Sequence, residues 1–245
     1  MIGWCVAAIA LAGPTWKIEP SPFAEDAAPV MVLLKTGESM NLPNPSPNRM
    51  ERARLKVVDF ANEKPSQPVG LIAYAGSAHL VMPPTKDTGV IATMAAELSP
   101  GIMPKPGDDL VGAVELAEKT LEDRGGILLV VTDAIETAQL NALNERLKSA
   151  RLVVLINAIA DEDSVEMRSM ETSASVLSAS LTKLTPDSTD TDALIAAASR
   201  AGEFVAARGA GNRWSESGYW LVPLVAVISL MSFRRETKSV RGANE

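Results

Sequence analysis

The sequence predicts an α/β fold: a doubly wound, mostly parallel sheet flanked by transmembrane helices. Three observations predict it. The runs "GILLVV" (126–131) and "LVVLI" (152–156) are continuously apolar, the pattern of strands buried on both faces of a parallel sheet. Such runs alternate with stretches of helical periodicity, which is the order of a βα repeat. Near the C-terminal end, Tyr219 to Phe233 carries no charged residue, and among its polar side chains only Ser229 and Ser232 fall within the apolar run.

In chain order, the expected strands are Pro29–Leu34, Val69–Ala75, Ala78–Met82, Gly126–Thr132 and Leu152–Ala158, with a weaker one at Ser173–Ala179. Gly76-Ser77 between the second and third reads as a hairpin turn. Helices are expected at Arg49–Asn62, Thr88–Leu98, Asp109–Glu122, Thr137–Ala150 and Asp192–Ala207. In the first, Leu55, Val58 and Phe60 stand among charges that face water. Asp190 and Thr191 sit where the last helix wants its N-cap. The polar segments "DEDSVEMRSMETSASV" and "TPDSTDTD" read as surface, the first as a loop tucked onto the sheet.

Composition narrows the chemistry. The 245 residues are 47% hydrophobic and only 4% aromatic, so the core is built from Ala, Val, Leu, Ile and Met. A net charge of −7 argues against nucleic-acid binding, which needs basic faces against phosphate. The single cysteine, Cys5, excludes an internal disulfide framework and a multi-cysteine zinc site. His79 is the sole histidine, and on a strand it reads as an ordinary core or edge residue. "KTG" at Lys35–Gly37 and "SLTK" at Ser180–Lys183 stand in the wrong order for a penicillin-recognising enzyme, with no Ser-Asp-Asn element between them. "ILLVVTD" has the look of a Walker B strand, yet no Gly-x-x-x-x-Gly-Lys-[Ser/Thr] loop exists to hold phosphates.

Both ends suit lipid. Residues 217–234 form the expected C-terminal transmembrane helix, with Trp214, Tyr219 and Trp220 as an aromatic collar and Arg234 and Arg235 closing the other end. The tail, 235–245, is basic while the body is acidic, so the positive-inside rule puts the tail in the cytoplasm and the body outside. In a bacterium that is the periplasmic side of the inner membrane. Residues 1–16, apolar and without a basic leader, read as an N-terminal membrane segment whose beginning is missing, in preference to a cleaved signal. The domain between spans 28–210.

In a doubly wound sheet the ligand site gathers at the carboxyl ends of the strands. Three loops belong there: "LKTGESM" (34–40), "PKPGDDL" (104–110) and "TDAIE" (132–136). In that order they resemble the metal-ion-dependent adhesion site of a von Willebrand factor A (VWA) domain. "SPNRMERARLKVVDF", "VGLIAYAGSAHLVMPPTKD", "ELSPGIMPKPGDDLVGAVELA" and "GILLVVTDA" resemble, more narrowly, the membrane-anchored BatA/BatB-like aerotolerance proteins of bacteria. The likeness extends to the flanking "LAGPTW" and "RW…GYWL".

The resemblance implies a Mg²⁺ site built from Asp-x-Ser-x-Ser, a Thr in the second loop and an Asp in the third. Here Lys35 stands at the first Asp and Gly37 at the first Ser, while Ser39 keeps the second. Asp108 follows Gly107 where Thr belongs, and Asp133 is retained. An ammonium close to a divalent ion is costly. At ~4 Å and an effective dielectric near 20, two unit charges interact by about 4 kcal/mol, and +1 against +2 by roughly twice that. The expected arrangement is an internal salt bridge, Lys35 donating to Asp133 and Asp108. Its alternatives are a retained metal, with Asp108 and Glu38 offsetting the lysine, and a Lys35 turned to solvent.

By the same resemblance, the chain is a non-catalytic protein-interaction module serving cell-envelope stress tolerance. Its implied partners are other membrane-bound VWA proteins, a cytoplasmic MoxR-type AAA+ ATPase and the lipid bilayer. The alternative is a metal-dependent periplasmic enzyme or maturation factor with a site rebuilt around Asp108, Asp133 and Glu38.

Overall fold

The structure is a computed structural model that describes residues 28–63, 67–122, 125–185 and 187–209, together with the backbone of two short strands at 15–18 and 214–216. The chain divides into two compact units: Ala24–Gly209, and a second made of Met1–Phe23 with Ala210–Glu245.

In the second unit the described elements are β1 (Thr15–Ile18) and β8 (Trp214–Glu216), which pair antiparallel. The membrane segment expected at 1–16 therefore ends in a strand at Thr15 and Trp16. The β-branched and aromatic residues at 15–18 favour extension. The rest of that segment, the helix expected at 217–234 and the tail 235–245 lie outside the described residues. Among the described residues no helix is long and apolar enough to cross a membrane.

The larger unit holds a six-stranded sheet in the order β4-β3-β2-β5-β6-β7. Its strands are β2 (Val30–Lys35), β3 (Val69–Tyr74), β4 (Ala78–Thr85), β5 (Gly126–Thr132), β6 (Leu152–Ala158) and β7 (Ser180–Lys183). All neighbours pair in parallel except β3 and β4, which form the hairpin. β4 runs on to Thr85 through Pro83 and Pro84, which an edge strand tolerates because no partner requires their missing N–H.

Among the described residues six helices cover the sheet, three on each face. On one lie α1 (Arg49–Glu63), α2 (Thr88–Glu97) and α6 (Thr189–Gly209), packed on Val32, Leu34, Leu71 and Leu129. On the other lie α3 (Leu110–Leu121), α4 (Thr137–Ser149) and α5 (Val165–Leu177), packed on Leu33, Ile72, Leu128 and Val130. Alternate residues of the central strands thus enter opposite cores, and with both faces covered these strands are mostly apolar.

Three expectations are corrected. The segment read as a loop with a weak strand at Ser173–Ala179 is α5, and the edge strand is Ser180–Lys183. Met167, Met170, Ala174 and Leu177 form a buried stripe at helical spacing, and the Ser164 hydroxyl caps the helix by accepting from Met167 N at 3.0 Å. The last helix starts at Thr189, not Asp192: the Asp187 carboxylate accepts from Thr189 N at 3.2 Å, Asp192 N donates to Ser188 O at 2.9 Å, and Asp190 is buried in a salt bridge to Lys56 of α1 at 2.5 Å. In α1 the buried stripe is Met50, Ala53, Val57, Phe60 and Ala61, whereas Leu55 is exposed.

Candidate functional site

Parallel strands end on one edge, and three chain segments meet there. Lys35 is the last residue of β2, Asp133 follows β5, and Asp108 lies in the loop that enters α3. The structure brings these three together. Lys35 Nζ stands 2.7 Å from Asp108 Oδ2 and 3.0 Å from Asp133 Oδ1. The cluster is shut away from water: Lys35 is 5% exposed and Asp133 1%.

A residue that sequence reasoning did not assign to the site completes the cluster. Arg49, the first residue of α1, is buried and puts Nη1 2.8 Å from Asp133 Oδ2, so both oxygens of that carboxylate face cations. Its Nε donates to Asn44 O at 2.8 Å, and Nη2 lies 3.4 Å from Glu166 Oε1 on α5. The available signal was a cation at a helix N-terminus, where the macrodipole disfavours positive charge. Such a placement needs an anion to hold it, and Asp133 is that anion.

The second-loop carboxylate is set by backbone. Asp109 N donates to Ala75 O at 2.6 Å, and Gly76 N to Lys105 O at 3.1 Å, pinning the loop to the β3–β4 turn. A Cβ on Gly76 would fall 2.0 Å from Pro106 O, so only glycine allows this approach. Asp109 caps α3, accepting from Gly112 N at 2.9 Å, and Gln139 of α4 donates to Asp108 O at 2.6 Å. Gly37 is another close-approach position, since its Cβ would sit 3.3 Å from Gly107 O. Ser39, half-buried in the short 3₁₀ turn Glu38–Asn41, helps hold the Asp133 carboxylate in its charged form. Glu38 is exposed on the same turn.

The electrostatics follow from burial set against pairing. Burial disfavours the ammonium of Lys35, but Asp133 and then Asp108 outweigh it, and the group is held above its ordinary value. Burial also favours a neutral Asp133, yet Lys35, with Arg49 and Ser39, draws its carboxyl below the usual range. At Asp108 burial wins over Lys35, with the charges of Glu136 and Asp133 adding to it, and its carboxyl is raised. Tyr74, opposite Lys35 on β3, is fully buried, and burial together with Asp108 pushes its phenol well above the ordinary value.

These donors do not fit Mg²⁺. The ion needs near-octahedral oxygen ligands at about 2.0–2.1 Å, and the ammonium of Lys35 lies between the two carboxylates that would supply them. Arg49 takes the remaining oxygen of Asp133. Among the described residues no group of three or more His, Cys, Asp or Glu side chains is placed to hold a metal ion. Lys35 and Arg49 match Asp108 and Asp133 in charge. The cluster suits a rigid, self-neutralised platform. The Ser77–His79 contact, 2.8 Å between Oγ and Nε2, is exposed on the β3–β4 hairpin, apart from these loops in the chain.

Known structures share the fold. The conserved hypothetical protein BatB from Bacteroides thetaiotaomicron superposes with a TM-score of 0.61 over 74% of this chain and 99% of that one, at 18% identity. An aerotolerance-related membrane protein from Bacteroides fragilis gives 0.58 over 72% and 99%, at 20% identity. In sequence, the UPF0353 protein of Mycobacterium ulcerans is 38% identical over 89 residues, which is 36% of this chain. The UPF0353 protein of Mycobacterium avium is 38% identical over 78 residues. The match spans only 25% of the first of these relatives and 22% of the second. Residues 30–136 match the von Willebrand factor type A domain family.

Proposed function

We propose that the chain is a membrane-anchored, non-catalytic protein-interaction module of the BatA/BatB-like group, docking its partners through the loop face without a divalent ion. The observation that carries this reading is the ammonium of Lys35 between Asp108 and Asp133. In a metal-bearing VWA site a partner's carboxylate completes the ion's coordination sphere. With the charge already balanced internally, recognition falls to the surface of the loops around the cluster. The membrane reading is supported by the apolar, charge-free run in 219–233 with its aromatic and basic flanks, and by the fold shared with an aerotolerance-related membrane protein. The domain then stands on the periplasmic side of the bacterial inner membrane with the C-terminal tail in the cytoplasm. Its partners are sister VWA membrane proteins and, across the membrane, a MoxR-type AAA+ ATPase, in a complex that serves cell-envelope stress tolerance.

Calorimetric titration with Mg²⁺ and Mn²⁺ tests the reading. The expected result is no binding in the micromolar range, and sister-protein association that persists in EDTA. Micromolar binding that disappears in Asp133→Ala would overturn it, in favour of a metal-dependent enzyme or maturation factor.

A further inference from the structure

Asn157, the next-to-last residue of β6, is fully buried, and neither its amide oxygen nor its amide nitrogen has a hydrogen-bond partner among the described residues. Alternate strand residues point to opposite faces of a sheet. Leu155 enters the core beneath α1, α2 and α6, so Asn157 points into that core as well. Thr191, in the first turn of α6, is also fully buried, and its hydroxyl has no partner among them either. Thr191, Leu194 and Ala198 share one helix face, and Leu194 and Ala198 line the same core. α6 follows β7 after a short connection, so its first turn stands at the carboxyl edge, the end of the sheet where Asn157 lies.

Buried polar groups are almost all paired, with protein or with ordered water. Two orphaned side chains in one layer, at one end of it, point to a shared third party. Charge decides its kind. Lys56 and Asp190, which join α1 to the same turn of α6, already pair at 2.5 Å, and Lys56 Nζ also donates to Asp187 O at 2.8 Å. No net charge is left there for an ion to balance. An amide and a hydroxyl each donate and accept, which suits a small neutral molecule that does both.

From this placement we infer that Asn157 and Thr191 hold ordered water in a polar site between β6 and α6, tying the strand to the start of the helix. Asn157 Oδ1, Asn157 Nδ2 and Thr191 Oγ1 supply hydrogen bonds of the number a buried water makes. Asn157 is in register with Val131 of β5, two residues before Asp133, so the water lies beneath the ion cluster. This site is separate from whatever the loop face docks.

A crystal structure of the full chain, at a resolution that shows ordered solvent, tests it. The expected map has a water peak about 2.7–3.2 Å from the Asn157 amide and from Thr191 Oγ1. Thermal unfolding of Asn157→Leu, Thr191→Val and the double variant is the second arm. Either change alone takes one partner away and leaves the other stranded, whereas both together leave an apolar site with nothing to satisfy. The shift in unfolding midpoint caused by Thr191→Val should therefore be about half as large, or less, in the Asn157→Leu background as in wild type. A dry site, or water bonded to only one of the two side chains, overturns the inference, and so do shifts that simply add. The wild-type map decides alone where a variant fails to fold.

Discussion

Lys35 Nζ lies 3.0 Å from Asp133 Oδ1, and both side chains are almost fully buried at the carboxyl edge of the sheet. The pair joins the last residue of β2 to the residue that follows β5, and Asp108 at 2.7 Å ties in the loop that enters α3. One ammonium thus holds together three loops that come from distant parts of the chain.

Removing that cation leaves a buried carboxylate without its partner. Lys35→Met is expected to lower stability by about 3–5 kcal/mol, the usual cost of breaking a buried pair from one side. Denaturant unfolding measures it. A loss below about 1 kcal/mol, typical of exposed pairs, would show that Lys35 does not hold the loops.

The pH dependence has a definite sign at each end. Lys35 is raised above 10.5 by its carboxylates, against the effect of burial. Its contribution is therefore complete below 10.5 and is lost as pH climbs through the higher folded value. Asp133 is lowered below 3.8, Lys35 outweighing burial, so its contribution is complete above 3.8 and is lost as pH falls through the lower folded value. The stability gap between wild type and Lys35→Met should narrow on the alkaline side of 10.5, where the ammonium is lost. The gap to Asp133→Asn should narrow on the acid side of 3.8, where the carboxylate is lost. Unfolding midpoints across pH check both, and a gap that closes near neutrality would contradict the assignment.

Gly76 tests how the Asp108 loop is positioned. Its added Cβ would meet Pro106 O at 2.0 Å, so Gly76→Ala must push the 105–109 segment away from the β3–β4 turn. A loss of about 1–3 kcal/mol is expected, the range for overpacking. The Lys35–Asp108 distance in a crystal structure of the variant should lengthen. An unchanged distance would mean that Asp108 is positioned by other contacts.

The face of α5 separates packing from surface. Met170 is fully buried and Val165 is 70% exposed. Met170→Ala should cost about 2–5 kcal/mol, while Val165→Ala should stay within about 0.5 kcal/mol. Comparable losses in thermal unfolding would contradict the helical register of this segment.

Much of this architecture is legible in the residues. Strands β5 and β6 hold the unbroken apolar runs 126–131 and 152–156, so their extent reads directly, although Thr132 and Asn157 beyond those runs are buried polar residues. The grouping of the loops that carry Lys35, Asp108 and Asp133 follows from the rule that parallel strands end on one edge, and the resemblance to a VWA site picks out those residues within them. The α5 helix is less legible, because Arg168, Ser169, Glu171, Thr172 and Ser175 separate its buried residues and mask the stripe. Arg49 escaped because its role depends on where α1 begins and on the direction its side chain takes over the strand ends. Neither is written in local periodicity. The start of α6 was missed because the cap lies one turn earlier than expected, where Asp187 accepts from Thr189 N and Ser188 O from Asp192 N, while Asp190 turns to Lys56.

Crystals grown in MnCl₂ and measured at the manganese absorption edge give the most direct reading of the cluster. The expected map has the Lys35 ammonium in place between Asp108 and Asp133 and no anomalous peak beside Ser39. An anomalous peak ringed by six oxygen ligands, with the Lys35 side chain displaced toward solvent, would contradict the account.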